Sequence, residues 1–217
     1  RSPASSPDLR TIYFFSDTGA GTVDQSVFTY TNDKLNYLAA EVLPLGSSHI
    51  DLKACGDEIS LESREYWRKE KESGSKHTTL INAKQLIEDL LRGQSHSKTL
   101  DETRKRLPTG EGVNPVATLQ EHARLIFGGG GHSSIPYESG VVKAFNQFFN
   151  ANTSPDVTSI QTPPDLEMNG NGDSWMRRLF VAYGLSFPTV DLVENTYPDQ
   201  NTLEEGTPVQ VTSMACT

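Results

Sequence analysis

Short apolar runs with strand-like composition open the regular part of the chain. Residues 11–15 are β-branched and aromatic and lead to Asp17, which is typical of a buried strand. Residues 22–31 and 35–44 are two further strand candidates. The polar turn at residues 32–34 would close a hairpin between them. Three consecutive strands predict an antiparallel meander.

The pattern becomes helical after residue 48. Charged side chains dominate residues 62–72, which predicts a solvent-exposed helix within the helical stretch 48–73. Residues 79–91 predict a helix that buries one face, and Gly93 is expected to end it. The residues on that face are Ala83, Leu86, Ile87, Leu90 and Leu91. Residues 93–113 lack a clear period, which predicts a long loop.

A strand, a glycine run and a helix follow one another in the second half of the chain. Residues 123–127 predict the strand, residues 128–131 are four glycines, and the helix after them has a wide apolar stripe. The stripe consists of Val141, Val142, Phe145, Phe148 and Phe149. Residues 157–160 indicate a short strand, and Asp173 is the predicted N-cap of a helix at 175–185. The expected fold class is α/β, with a mixed central sheet flanked by helices.

Charge and cysteine content narrow the class of partner and compartment. The 217 residues contain 19 Lys and Arg against 28 Asp and Glu, a net charge of −9, so we expect neither nucleic acid nor a membrane as partner. Cys55 and Cys216 suggest neither a disulfide framework nor a zinc site, which favours a reducing, cytoplasmic location. No apolar run approaches the roughly 20 residues that span a bilayer. The Ser/Pro-rich start at Arg1 suggests a fragment or a processed product.

The most specific chemical pattern is residues 17–24, Asp-Thr-Gly-Ala-Gly-Thr-Val-Asp. Gly19, Ala20 and Gly21 lack bulky side chains, so backbone N–H groups can approach phosphate oxygens closely. The flanking carboxylates of Asp17 and Asp24 could hold a hydrated magnesium ion or orient an attacking water. An ordinary hairpin turn with solvated acids is the alternative interpretation.

The same residues also fit a second class of enzyme. Asp17, Thr18 and Gly19 match the active-site tripeptide of aspartic proteases, in which two such aspartates share a proton. The tripeptide occurs once, so a protease would have to be a homodimer. That chemistry does not require Asp24.

Residues 17–24 resemble the second phosphate motif of the superfamily of actin, sugar kinases and DnaK-type heat-shock chaperones. The chaperone form is Asp-Leu-Gly-Gly-Gly-Thr-Phe-Asp, from which this sequence departs at Thr18, Ala20 and Val23. The methyl group of Ala20 stands where the family has glycine, and it restricts the approach of the backbone to the γ-phosphate.

A second motif of that superfamily follows in the expected order. Residues 125–136 are similar to its adenosine motif, in which a strand ends in glycines before an Ile-Pro at a helix start. Residues 45–51 and 178–185 add smaller similarities. The resemblance implies nucleoside contacts from the glycine run and adenine contacts from the charged helix. The residues so implied are Gly128, Gly129, Gly130, Gly131, Glu65, Arg68 and Lys69.

The histidines show no metal-ligand spacing and are expected to lie scattered on the surface. His132 falls in the adenosine motif. It is expected to be an exposed loop side chain, with stacking or hydrogen bonding to a nucleoside as the alternative.

The resemblance implies the second lobe of an Hsp-type or actin-like ATPase with a ribonuclease H-like fold. Residues 11–51 and 116–190 would form its core and residues 52–115 an inserted helical outer subdomain, while residues 1–10 and 197–217 would be loosely ordered. ATP and Mg²⁺ are the implied ligands, and the first lobe of the same protein, with protein clients or assembly partners, the implied partners. A non-catalytic interaction scaffold remains the alternative.

The family mechanism assigns a role to three residues of the first motif. Asp17 would orient water or the metal shell, Thr22 would contact the γ-phosphate, and Asp24 would hold metal-bound water. No strand and glycine loop precede residue 11, so we expect the chain alone to bind nucleotide weakly if at all.

Overall fold

A computed structural model of the chain describes residues 11–31, 34–94, 96–106, 123–149, 156–158, 160–164, 166, 172–188 and 192–196. Its strands are β1 (Ile12–Thr18), β2 (Val23–Thr31), β3 (Lys34–Leu43), β4 (Ala123–Gly128), β5 (Asp156–Thr158) and β6 (Glu194–Thr196). Its helices are α1 (Ser48–Cys55), α2 (Leu61–Glu72), α3 (Thr78–Gln94), α4 (His96–Arg106), α5 (Ile135–Phe149) and α6 (Gly172–Leu185), with a 3-10 helix at Gly130–Ser133.

The described strands form one mixed sheet in the order β5-β4-β1-β2-β3-β6. Strands β1, β2 and β3 pair antiparallel, which confirms the predicted meander. Strand β4 pairs parallel with β1, β5 parallel with β4, and β6 parallel with β3. The predicted fold class, α/β with a mixed central sheet flanked by helices, is therefore confirmed.

Two apolar clusters pack helices α1, α3, α4 and α5 against one face of this sheet, whereas Phe180 of α6 contacts Phe15 on the other face. Alternate residues of β1 point into the first cluster, because successive side chains of a strand face opposite sides. That cluster contains Ile12, Phe14, Val27, Ala39, Leu100, Ala123, Leu125, Phe127, Val141 and Phe145. The second lies nearer the 17–24 motif and contains Val23, Ile50, Ala54, Leu80, Ala83, Ile87, Leu91 and Tyr137.

The segment after α3 differs from its prediction. Helix α3 continues past Gly93 to Gln94, and α4 occupies positions expected to form a loop. Among its described side chains, helix α4 buries Leu100 and two threonines, and Thr99 donates a hydrogen bond of 3.0 Å to the buried Gln25. Such a sparse apolar face gave no periodic signal, although Asp101 and Glu102 pair along the helix with Arg104 and Lys105.

The remaining predictions about the helices are partly confirmed and partly wrong. Helix α2 has no buried residue among those described, as its charge pattern predicted. Ala83, Ile87 and Leu91 are buried as expected, but Leu86 is 43% exposed. Asp173 lies inside α6, which begins at Gly172, and so is not the N-cap.

The proposed division into core, insertion and termini stays a prediction. The described helices of residues 52–115 contribute Leu100 to the first cluster and Leu80, Ala83, Ile87 and Leu91 to the second. Residues 1–10 and 197–217, and the side chains of Phe148 and Phe149, lie outside the described residues. Within the described ranges, every helix is too short or too polar to cross a membrane.

Candidate functional site

The two motifs meet at one edge of the sheet. Asp17, near the end of β1, pairs with Asp24 of β2 on one side and with Gly128 of β4 on the other. Because β1 and β4 are parallel neighbours, the loops that follow them open at the same edge. The structure thus places residues 17–24 and the glycine run side by side.

The loop of residues 19–22 turns a row of amides in one direction. The carbonyl oxygens of Gly19, Ala20 and Gly21 all accept hydrogen bonds of 2.9–3.0 Å from the N–H groups of residues 46–48. No described peptide bond is cis, and a trans peptide directs its N–H opposite to its C=O. The N–H groups of Ala20, Gly21 and Thr22 therefore point away from the 46–48 turn. Successive outward N–H groups form the type of backbone site that binds anions.

Two glycines of this loop are not explained by the packing of the chain itself. A Cβ on Gly21 would meet no atom within 4 Å, and one on Gly19 would make only an ordinary contact of 3.7 Å with the Thr22 carbonyl oxygen. Neither residue has a positive φ angle. Ala20 beside them is exposed. The open space on the outer side of the loop is available to a ligand.

Two carboxylates flank the loop on one face of the sheet. Asp17 and Asp24 are direct cross-strand partners, and burial, followed by the charge of Asp24, raises the pKa of Asp17 above its ordinary value. Thr22 Oγ1 donates a hydrogen bond of 3.0 Å to Asp24 Oδ2. Asp17 and Asp24 have no ion-pairing cation among the described residues. A repelling carboxylate pair of this kind suits a hydrated Mg²⁺, which binds through one or two carboxylates.

In the described part of the chain, the pair does not belong to a larger metal-binding cluster. Within the described ranges, no group of three or more His, Cys, Asp or Glu side chains could hold a metal ion. The remaining ligands of a magnesium ion here would therefore be water, phosphate oxygens or groups outside these ranges.

Most of the glycine run is required by the packing of the chain against itself. A Cβ on Gly128 would lie 2.6 Å from the Phe180 ring, and one on Gly129 would lie 2.2 Å from Asp17 Oδ1. Gly129 also has a φ of +80°, and a Cβ on Gly131 would lie 2.3 Å from Thr18 Cγ2. Of the four glycines predicted to contact a nucleoside, Gly130 lines the polar cleft described below.

His132 differs from its prediction as an exposed loop side chain. It is only 3% exposed, and its Nε2 lies 2.9 Å from Thr18 Oγ1. Burial, together with the charge of Arg177, lowers the pKa of His132 to about 3, against the opposite effect of a hydrogen bond with the Ser16 backbone. His132 is therefore neutral near pH 7, and its burial keeps it from contacting a nucleoside in an open cleft.

A polar cleft of about 400 Å³ lies beside the two loops. It is lined by Ser47, Arg68, Lys71, Glu72, Gly130, Ser134 and Arg178. Ser47 also donates its N–H to Gly19, so the loop of residues 19–22 borders this cleft. Three of the seven lining residues are cationic in a chain of net charge −9, which favours an anionic ligand at this position.

The predicted adenine contacts are only partly brought together. Arg68 lines the cleft, but Glu65 and Lys69 line a separate recess of about 580 Å³ together with Leu61, Glu62 and Tyr66. The reason is helical geometry: residues one position apart face directions about 100° apart, so Arg68 and Lys69 of α2 face different sides. Glu65 instead forms an ion pair with Arg68 along the helix.

Lys71 and Arg178 are cleft residues that the sequence did not single out. Lys71 Nζ lies 2.9 Å from Asp51 Oδ1 and donates a hydrogen bond of 2.9 Å to the Ser47 carbonyl oxygen, which ties α2 to α1. Arg178 lies over Gly130 and, in the described part of the chain, has no carboxylate partner. Arg178 lies two residues before Phe180 in residues 178–185, and the similarity of that segment to the superfamily is the signal in the sequence that could have identified it.

Three solved structures show some similarity to this chain. The first is a PilM-PilN type IV pilus biogenesis complex, with 15% identity and a TM-score of 0.48 over 84% of this chain and 48% of that chain. The second is the ethanolamine utilization protein EutJ from Carboxydothermus hydrogenoformans, with 17% identity and a TM-score of 0.38 over 69% of this chain and 44% of that chain. The third is a pCBH ParM non-polymerisable quadruple mutant, with 13% identity and a TM-score of 0.44 over 84% of this chain and 49% of that chain.

These similarities establish no activity for the chain, given their low identities and TM-scores. The chain spans about half the length of the solved structures it matches. Neither protein-family models nor curated proteins yield a match to the sequence.

Proposed function

We propose that this chain is the second lobe of an actin-like nucleotide-binding protein, in which it binds the phosphates and the nucleoside of ATP. The observation that carries the proposal is the row of outward amides of Ala20, Gly21 and Thr22 beside the Asp17–Asp24 pair. Backbone donors and a metal-binding carboxylate pair are what a magnesium-bound triphosphate requires. The nucleoside would lie in the cleft between Arg68 and Gly130.

The residues of the site have separate roles in this proposal. Thr22 and the loop amides would hold phosphate oxygens, and Asp24 would hold metal-bound water. Asp17 would orient the water that attacks the γ-phosphate, and the raised pKa of its carboxyl follows from burial and from Asp24. Bound Mg²⁺ would offset phosphate charge. The proposal also includes hydrolysis of ATP, kinship with Hsp-type chaperones, a cytoplasmic location and protein partners.

The proposal is tested by ATP binding and hydrolysis in a protein that joins this chain to the first lobe. Asp17→Asn should lower kcat by at least about a hundredfold and change ATP affinity much less, because a water-orienting group acts mainly in the transition state. Asp89→Asn on the exposed face of α3 is the matched control, because Asp89 does not line the cleft, and it should leave both values unchanged. An unchanged kcat in Asp17→Asn would remove the role of Asp17.

The scaffold alternative is favoured by one observation. The methyl group of Ala20 is exposed at the tip of the loop, where the related motif has glycine. Ala20→Gly separates the two interpretations: an active ATPase should bind nucleotide as well or better after the change, whereas a scaffold should remain without nucleotide binding.

The protease alternative requires two copies of Asp17 to share a proton. Gly129 packs against Asp17 Oδ1, and Phe180 of α6 packs on the adjacent Gly128, so this carboxyl is half-buried within its own chain. A peptide-cleavage assay with a pepstatin-type inhibitor tests the alternative, and we expect no inhibitable cleavage.

A further inference from the structure

Two buried side chains near the glycine run hold the 19–22 loop from different sides. His132 Nε2 lies 2.9 Å from Thr18 Oγ1, immediately before the loop. The hydroxyl of Tyr137, which is fully buried, donates a hydrogen bond of 2.6 Å to the Gly46 carbonyl oxygen. Both contacts join parts of the chain that are about a hundred residues apart in sequence, 114 for the first and 91 for the second.

The Tyr137 contact reaches the loop through one intermediate residue. The Gly46 N–H donates to the Gly21 carbonyl oxygen, so Tyr137 fixes the turn that fixes the loop. Gly46 is packed so closely that a Cβ there would lie 2.5 Å from the Ala20 backbone. A displacement of the 46–48 turn would therefore rotate the loop peptides and redirect their N–H groups.

Packing against neighbouring rings fixes the position of the His132 side chain. Its ring packs on Phe127, with ring centroids 4.6 Å apart, and lies 6.5 Å from the Tyr137 ring in an edge-on arrangement. Gly131 beside it packs on Thr18, leaving no room for a side chain. His132 thus fixes the end of β1 relative to the glycine run.

We propose that His132 and Tyr137 are positioning residues that set the outward direction of the Ala20, Gly21 and Thr22 amides without touching the ligand. The inference rests on the proposed function, because it assigns these two residues to the phosphate site of that proposal. Their side chains are 3% and 0% exposed, so they act through Thr18 and Gly46.

The test removes single hydroxyl groups from the full chain and follows the loop amides directly. Tyr137→Phe and Thr18→Val delete one hydrogen bond each, Thr18→Ser retains the hydroxyl, and Tyr66→Phe deletes an exposed hydroxyl on α2 as the control. The measurements are amide ¹H–¹⁵N chemical shifts of residues 20–22 without ligand and the affinity for tripolyphosphate with magnesium. Both are made below the unfolding transition of every variant.

We expect Tyr137→Phe and Thr18→Val to shift the signals of residues 20–22 and to weaken tripolyphosphate binding about fivefold, the effect of one hydrogen bond of about 1 kcal/mol. Thr18→Ser and Tyr66→Phe should resemble the unmodified chain. Unchanged amide signals in both deletion variants would overturn the inference, whatever the affinity. If the unmodified chain and its assembly with the first lobe bind no tripolyphosphate, the proposed function fails, and the amide signals alone decide the positioning role. If a variant does not fold, the other one decides.

Discussion

At the scale of single residues, the site contains an unfavourable interaction that a ligand would relieve. Asp17 and Asp24 face each other across two strands, where like charges destabilise the folded chain. The pKa of Asp17 is raised by burial and, to a smaller extent, by that repulsion. The folded state therefore gains stability from these groups when a cation binds or when Asp17 takes up a proton.

Asp24→Asn tests this directly. Without magnesium, the variant should have a higher free energy of unfolding, by up to about 1 kcal/mol, because one charge of a partly exposed like-charged pair is removed. Magnesium should raise the free energy of unfolding of the unmodified chain but not that of Asp24→Asn. Urea unfolding with and without magnesium measures both effects, with Asp89→Asn on the exposed face of α3 as control. A stability gain from magnesium that survives in Asp24→Asn would contradict the assignment.

His132 determines a different pH dependence. Its pKa is about 3 in the folded chain and 6.5 as the ordinary value, so below pH 6.5 the unfolded chain takes up a proton that the folded chain does not. Above pH 6.5 both states are neutral, and the residue adds no pH dependence. Between pH 7 and pH 5 it should lower the free energy of unfolding by about 2 kcal/mol.

His132→Gln isolates this contribution, because the raised pKa values of Asp17 and Asp51 act in the opposite direction in both proteins. Denaturant unfolding at pH 7, 6 and 5 should show a smaller loss of stability in the variant. Equal losses in the two proteins would mean that His132 can protonate within the fold.

At the scale of elements, two glycines of neighbouring turns should respond oppositely to the same substitution. Gly46→Ala places a methyl group against the Ala20 backbone and should lower the free energy of unfolding by about 1–3 kcal/mol. Gly21→Ala meets open space and should fold as stably as the unmodified chain. If the loop binds phosphate, Gly21→Ala should still weaken ATP binding. Thermal unfolding and ATP titration of the two variants separate a structural from a ligand-binding glycine.

Much of the arrangement of elements was accessible from the sequence, because hydrophobic periodicity depends on the residues nearby. Strands β1 to β4 and the buried face of α3 were predicted in this way. Helix α4 was missed because its burial depends on Leu100 and on a hydrogen bond to Gln25, 74 residues away in sequence. The cleft residues Lys71 and Arg178 were missed for the same reason, since surface charges show no period that identifies their distant neighbours.

At the scale of the whole molecule, charge and architecture favour a site that is completed from outside the chain. The chain has a net charge of −9, yet its cleft combines Arg68, Lys71 and Arg178. Acids of α1 and α2 partly neutralise the charges of Lys71 and Arg68. Among the described residues, no carboxylate forms an ion pair with Arg178. In the proposed site, the amides of the 19–22 loop would contact one side of a bound phosphate and leave its other side open.

The last prediction concerns the chain by itself. Two apolar clusters and a mixed sheet give it a core of its own, so it should unfold cooperatively in isolation. It should nevertheless show no measurable ATPase activity, because stabilising the transition state requires donors on both sides of the phosphates. Adding the first lobe should restore magnesium-dependent binding and turnover that Asp17→Asn abolishes. Robust hydrolysis by the isolated chain, lost in Asp17→Asn and so not due to a contaminant, would show instead that this lobe contains the complete active site.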